Sequence, residues 1–426
     1  MATAIQLIGW ALLGSMAAQT AQAQPCAAWT PAGNDGYLLP AGYLSTRGSD
    51  FVDGFGNPVR IASIGWDGSD GKAGAISQGL WTVSYRTILE SIKAAGFNTV
   101  RIPWSNVNLD VLPANTPAMG TIDFAKNFDL HGLTVRQVLH KFVDYAGSIG
   151  LKVIFDHHSD EGCCGQQTNG LWFDSGPGTD GTDGAGNRGT VTAIRFERDW
   201  ARFAIEYRHN ATVIGFDLAN EPTSVGHINW GRGGPTDIKA MYETVGAAIL
   251  SINPDVLIIA EGPQTYAVPA ANSGMKARAP QGNLTGVATA PVVLPIAHKI
   301  VYSVHEYPNE IAGFQGADHG VEFIARMETV WGWLLKSHIA PVWIGEMGSS
   351  MRTPESQAWA QTLLDYMNRP DRTVSGSWWH IGPASDEPDG LQTAWGLGAY
   401  RTAQLAVTDR MLFKPRVQRT CNAYFE

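Results

Sequence analysis

Short apolar runs alternate along this chain with longer stretches whose apolar residues recur at helical spacing. The runs Val59–Gly65, Phe97–Ile102, Leu151–Phe155, Val213–Glu221, Val256–Ala260, Lys299–Val304, Val342–Gly345 and Val374–Trp378 have the length and residue types of buried strands. Pro103 and Pro222 are expected to end two of them, because proline cannot continue a ladder. Ahead of the first run, Tyr43–Ile64 reads as a hairpin leading into it, with turn chemistry at Asp53–Pro58. Between the runs, Tyr85, Leu89, Ile92 and Ala95 share a helical face, as do Val135, Leu139, Phe142, Val143 and Ala146. Gly96 and Gly150 come after those two helices as terminating glycines. Phe196–Tyr207, Ile238–Leu250, Val321–Leu335, Glu355–Met367 and Thr402–Phe413 complete the helical set.

Eight strands alternating with helices, without a composition break, predict an α/β fold: one (β/α)8 TIM barrel as a single domain over residues 24–426. A doubly wound open sheet would carry a glycine-rich phosphate turn after its first strand. The turn here is Gly65-Trp66-Asp67-Gly68, which is not that fingerprint. One long connection, from Ser159 to about Gly189, interrupts the alternation, and Gly176–Gly189 is rich in Gly, Asp and Thr. Such loops are more often functional or mobile than core. Asp180 and Asp183 are of a type that binds calcium, but a solvated loop is the simpler reading.

The chain has 426 residues, 44% hydrophobic and 16% charged, enough for a large core and unlike a disordered segment. A net charge of -9 without a Lys or Arg run argues against nucleic acid and anionic membranes as partners and favours a neutral polymer. Residues 1–23 read as an export signal. Ile5–Ala18 is apolar and Ala21-Gln22-Ala23 fits a small-x-small cleavage site, although no Lys or Arg precedes the apolar run. Secretion and a monomeric state are expected. No later stretch has the ~18 apolar residues of a membrane span. Cys26, Cys163, Cys164 and Cys421 are an even set, which permits disulfides in an exported protein. Cys26 and Cys421 lie near the two ends of the mature chain, and domain termini are often close. Cys163 and Cys164 either pair with each other or elsewhere. A structural zinc site is not expected, since no Cys-x-x-Cys is present.

In a parallel barrel the carboxyl ends of the strands converge on one face. They carry Trp66, Arg101, His158, Asn220, Glu221, His305, Tyr307, Glu346 and Trp379. Singly, each has an ordinary explanation: an ion pair for Arg101, satisfied core histidines, core aromatics. As a set they resist it, because burying so many polar groups unpaired is costly. Two strand-end glutamates suit retaining glycoside hydrolysis, which needs one protonated and one ionised carboxyl ~5–5.5 Å apart. Glu221 is the expected acid, since apolar walls and a second carboxylate raise a carboxyl's pKa. Arg101 and Tyr307 would keep Glu346 ionised, and Asn220 can bond a sugar 2-hydroxyl. His158 and His305 can hold neighbours in place. Trp379 offers a stacking floor, with Trp66 and His157 as further substrate contacts.

Several of these pieces, taken in order, resemble glycoside hydrolase family 5, the cellulase-type family whose two glutamates end strands 4 and 7. They are Val100-Arg101-Ile102-Pro103, Phe155-Asp156-His157-His158, Asn220-Glu221-Pro222, His305-Glu306-Tyr307, Gly345-Glu346-Met347-Gly348 and Trp379 before Pro383. Gly65-Trp66, Gly215–Leu218 and Ile339–Trp343 are most similar to bacterial secreted endoglucanases. The resemblance implies a retaining double displacement with Glu346 as nucleophile and Glu221 as acid/base. It also implies His158 rather than His157 as the site histidine, Trp379 rather than Trp378 facing the substrate, a β-glucan as polysaccharide substrate, and no cofactor. Two departures bear on the outer subsites: Tyr266–Gly282 lacks the tryptophans usual after strand 5, and the loop Cys163–Gly189 is longer and richer in glycine. Mannan, xylan and mixed-linkage glucan therefore stay open as substrates. Two readings of other classes are a metal-dependent barrel hydrolase using Asp156, His157, His158, His305 and Glu346, and a non-catalytic glycan-binding barrel.

Overall fold

A computed structural model provides the structure and describes residues 38–109, 116–160, 171–173, 191–223, 228–313, 316–384 and 388–412. The expected export signal, all four cysteines, Asp180, Asp183, most of the long loop after Ser159 and Phe413 lie outside the described residues. The described residues belong to one compact unit.

The unit opens with a small antiparallel sheet of β1 (Ser45–Arg47), β2 (Asp50–Val52) and β3 (Pro58–Val59). Eight parallel strands come next: β4 (Ala62–Gly65), β5 (Thr99–Ser105), β6 (Lys152–Ser159), β7 (Val213–Asp217), β8 (Leu257–Glu261), β9 (Ile300–Glu306), β10 (Val342–Met347) and β11 (Ser375–Trp378). They close into a barrel in chain order, β11 pairing with β4. The expected (β/α)8 barrel is therefore the fold. Its outer layer contains α1 (Tyr85–Ala94), α2 (Val135–Ser148), α3 (Ala193–Glu206), α4 (Ile238–Ile252), the one-turn α5 (Asn309–Ala312), α6 (Gly320–Met327), α7 (Trp333–Lys336), α8 (Pro354–Met367) and α9 (Thr402–Thr408). Ser84, Thr134, Thr192, Asp237 and Thr353 cap α1, α2, α3, α4 and α8, each accepting from a first-turn N–H that the helix leaves unpaired.

Apolar side chains fill two layers. Ile154, Ile214, Leu257, Ile259, Val301 and Trp343 point into the barrel and meet Leu44, Phe51 and Ile61 from the segment that plugs its lower end. The larger cluster, with Phe155, Phe216 and Ile344, lies between strands and helices. Two lysines tie the plug to the strand bottoms. Lys152 Nζ donates to Gly42 O (2.9 Å) and Ala211 O (2.6 Å), and Lys299 Nζ to Leu44 O (3.1 Å) and Asp255 O (2.7 Å).

Four expectations are corrected. The run Val59–Gly65 is split: Val59 pairs in the plug sheet, and the barrel strand starts at Ala62. Pro103 does not end its strand, for β5 continues to Ser105 and Pro103 pairs with Asp156. On the other edge β4 has already ended at Gly65 opposite Arg101, so little ladder remains there for a Pro103 N–H to join. β7 ends at Asp217, four residues short of Glu221, and the chain then turns before Pro222 is reached. The helix expected over Val321–Leu335 is interrupted by a π-turn at Glu328–Gly332 between α6 and α7.

Candidate active site

Strand alternation and two bulges decide which strand-end residues face inward. On β6, Ile154 lies inside the barrel and Phe155 outside, so Asp156 and His158 return to the inner face while His157 points out. On β7 the register shifts between the pairs Val153–Val213 and Ile154–Gly215, and on β10 between Ile344 and Glu346. Each shift inserts one residue at a glycine and re-aims the side chains beyond it, bringing Asp217 and Glu346 inward.

Arg101, at the middle of β5, is completely buried and is the hub of the site. Its guanidinium reaches Glu346 Oε1 at 2.5 Å, Asp217 Oδ2 at 3.0 Å and Asp156 Oδ1 at 3.0 Å, and donates to Asn220 Oδ1 at 2.9 Å. Three carboxyls on one guanidinium are more negative charge than it neutralises. Burial, against the pull of Arg101 and with the charge of Asp156, pushes Asp217 up to about 7. Glu346 goes the other way. Burial alone would raise it, but the charges of His305, Arg101 and His158 and the hydrogen bond from Tyr307 Oη (2.8 Å to Oε2) outweigh that and hold it at about 2. Tyr307 itself is fixed by Gln281, which accepts from its backbone N–H and donates to its carbonyl.

His305 is completely buried with Nδ1 2.8 Å from Glu221 Oε1 and 3.6 Å from Glu346 Oε2. Its burial opposes a charge, yet Glu261, Glu346 and Glu221 together raise it to about 10, so Nδ1–H donates to Glu221. His158 Nδ1 lies 2.7 Å from Asp156 Oδ2, and its ring stacks on Trp379 with centroids 5.5 Å apart. Burial opposes its charge too, but Asp156 raises it to about 10. Oxygens of Glu221 and Glu346 come within 4.8 Å of each other. Glu346 is nearly buried, whereas Glu221 is the more open of the two. Carboxylate oxygens this close fit the ~5–5.5 Å pairing of double displacement.

Of the residues singled out from sequence, Arg101, His158, Asn220, Glu221, His305, Tyr307, Glu346 and Trp379 converge. Trp66 and His157 do not. Trp66 is completely buried, donates its indole N–H to Gln78 O (2.9 Å) and stacks on Phe142 of α2. Its neighbour Gly65 is the one that matters to the cleft: a Cβ there would come within 2.8 Å of the Trp379 ring. His157 packs among Trp104, Phe196 and Trp200 with Nε2 2.7 Å from Asn106 Oδ1. Burial pushes it down to about 3, so it is neutral packing. The five-residue metal set that included His157 is thereby broken. Two smaller groups remain close enough to share an ion, Asp156 with His158 and Glu346, and Glu221 with His305 and Glu346. Both contain Glu346, whose oxygens are already taken by Arg101 and Tyr307, and a guanidinium beside a ligand oxygen disfavours a cation there.

Asp217 and Glu261 were not among the sequence candidates, and Asp156 only as a metal ligand. All three carried the same signal, an acidic residue closing an apolar strand. Glu261 accepts the backbone N–H of Glu221 at 2.8 Å and lies 3.4 Å from His305 Nε2.

A family model described as cellulase, glycosyl hydrolase family 5, matches residues 52–385. An endoglucanase of Paenibacillus polymyxa is 32% identical over 370 residues, covering 85% of each chain. The major extracellular endoglucanase of Xanthomonas campestris is 27% identical over 358 residues, 82% of this chain and 67% of that one. A solved hyperthermophilic endocellulase from the archaeon Pyrococcus horikoshii is similar with a TM-score of 0.72 at 26% identity, covering 87% of this chain and 98% of that one. The barrel, its paired glutamates and these matches agree, and the chain belongs to the cellulase family of glycoside hydrolases, glycosyl hydrolase family 5.

Proposed function

We propose that this protein is a retaining endo-β-1,4-glucanase that cleaves cellulose-type β-glucans, with Glu346 as nucleophile and Glu221 as acid/base. The observation that carries the reading is the unequal environment of two carboxyls within 4.8 Å. Arg101 and Tyr307 occupy Glu346 and keep it ionised, whereas Glu221 is more open and accepts a hydrogen bond from His305 Nδ1.

In the first step Glu346 attacks the anomeric carbon while Glu221 protonates the departing glycosidic oxygen. A covalent glycosyl ester on Glu346 and a free chain end result. In the second step Glu221, now a carboxylate, takes a proton from water, which displaces Glu346 and restores the anomeric configuration. Asn220, oriented by Arg101, is placed to bond the sugar 2-hydroxyl, where charge builds up in the transition state. Trp379, stacked on His158, offers its open face to the sugar ring. Past β8, where the expected tryptophans are missing, Tyr266 is half exposed and lies near enough to Glu221 to feel its charge. It is an aromatic available to a sugar bound beside Glu221.

The similarity to named endoglucanases favours β-1,4-glucan over mannan, xylan or mixed-linkage glucan. The apolar run Ile5–Ala18 with Ala21-Gln22-Ala23 favours export, and no helix among the described residues is long and apolar enough to cross a membrane. Monomeric action on a soluble or fibrous glycan completes the reading. Incubation with a panel of β-glycans, with and without EDTA, tests it. We expect internal cleavage of carboxymethylcellulose, a rapid fall in viscosity and no effect of EDTA. Preferential cleavage of mannan or xylan would move the substrate, and loss of turnover with EDTA would favour the metal reading.

A further inference from the structure

We propose that Glu261 is a positioning residue for the acid/base, holding the main chain of Glu221 in the conformation that aims its carboxyl at the leaving group. The inference rests on the role given to Glu221 above.

Glu221 has φ +45°, the left-handed region that a residue with a Cβ enters only under strain. Something must hold it there. Its N–H donates to Glu261 Oε2 at 2.8 Å, on a side chain with no exposed surface. Burial pushes the Glu261 carboxyl up, against the charge of His305, but a carboxyl oxygen accepts an N–H in either protonation state. The same oxygen faces His305 Nε2 at 3.4 Å, and the other ring nitrogen holds Glu221 Oε1 at 2.8 Å. One buried carboxyl therefore touches both the backbone of Glu221 and the ring that holds its side chain, without itself facing the cleft.

Glu261 is well anchored for this. It ends β8, and Tyr242 Oη donates to its carbonyl at 2.7 Å. The next N–H, of Gly262, donates to Ser303 O on β9 at 2.9 Å. A Cβ at Gly262 would lie 2.7 Å from Asn283 N, so the chain has little room to shift. Without the Glu261 carboxyl the Glu221 N–H would lose this acceptor, and the strained φ would relax.

A substrate comparison tests this. Cleavage of cellotetraose needs protonation of the leaving oxygen, whereas a dinitrophenolate leaves without it. In Glu261→Ala we expect kcat/KM on cellotetraose to fall about 10²-fold, the scale of a misplaced general acid, and kcat/KM on dinitrophenyl β-cellobioside to fall only a few-fold. The ratio of the two does not depend on the folded fraction. Glu261→Gln keeps an amide oxygen for the Glu221 N–H and should restore the cellotetraose value to within about fivefold. Equal losses on both substrates in Glu261→Ala, or no rescue by Gln, would overturn the proposal. Glu221→Ala is the control. If it discriminates between the substrates and Glu261→Ala does not, only the role of Glu261 falls. If Glu221→Ala itself does not discriminate, the acid/base assignment falls first.

Discussion

Tyr307 shows how much one hydroxyl does in this site. Its Oη donates to the same carboxylate that Arg101 and two charged histidines surround, and the sum keeps Glu346 ionised although it is buried. Glu346 is held below its ordinary 4.5, at about 2, so the ionised form is favoured by the fold. That contribution is fully present above 4.5 and is lost as pH falls from there towards 2. Tyr307→Phe removes one donor, so the pKa of Glu346 should rise. We expect the acid limb of kcat/KM to move to higher pH, and the plateau to fall roughly 10- to 100-fold for a lost charge-assisted bond. A pH profile coincident with wild type would show that the hydroxyl does not act on Glu346. At this scale the sequence was legible where chemistry and motif order agreed: Arg101, Asn220, Glu221, Glu346 and their neighbours needed only strand ends to be found. It was not legible for Trp66, because a tryptophan at a strand end reads alike whether it faces a cleft or a helix. Phe142 and the Gln78 carbonyl decided, and both are distant from it in sequence.

Strands set what the residues can do, and two of them do it by irregularity. Plain alternation from Trp343 would place Gly345 inward and Glu346 outward, but the bulge between Ile344 and Glu346 turns the Glu346 carboxyl into the barrel. Gly345 makes this possible, since a Cβ there would lie 2.7 Å from Ser303 Oγ and 3.2 Å from His305 Nε2. Gly345→Ala should therefore displace His305 and Glu346 together and lower kcat/KM on the order of 10²-fold with secondary structure intact. Circular dichroism with steady-state kinetics checks it, and an unchanged kcat/KM would mean that the bulge tolerates a side chain. Glycines inside Val213–Glu221 and Val342–Gly345 were visible from the start, and a glycine within a strand is a known sign of a bulge. Which way the side chains face was not visible, because the parity of a strand is set by its neighbours. The same limit left His157 and His158 to be separated by family likeness before the structure separated them by packing. Pro103 misled for a related reason: a proline forbids a ladder bond only where a partner strand is present, and β4 ends just before it.

Over the whole molecule the two ends of the barrel have separate tasks. One carries the carboxylates; the other is closed by β1–β3 and by Lys152 and Lys299, whose ammonium groups are satisfied by main-chain carbonyls. Lys299→Met would leave the carbonyls of Leu44 and Asp255 without their donor at a cost of about 1–3 kcal/mol. A lower urea midpoint with unchanged kcat/KM is expected; a fall in kcat/KM at full stability would mean that plug and site are coupled. The barrel itself was legible because eight apolar runs alternate with helical periods, a pattern that tolerates errors of a few residues at each boundary. The plug was read only as a hairpin, since its strands are two or three residues long and its pairing is decided by the barrel it covers.

The central claim is that Glu346 forms a covalent bond to the sugar. Its most direct test is Glu346→Ala assayed on dinitrophenyl β-cellobioside with and without azide, the product's anomeric configuration being read by NMR. The mechanism predicts loss of hydrolysis without azide, and with it renewed release of dinitrophenolate and an α-cellobiosyl azide. Near-normal hydrolysis by Glu346→Ala, or a rescued product of β configuration, would contradict it.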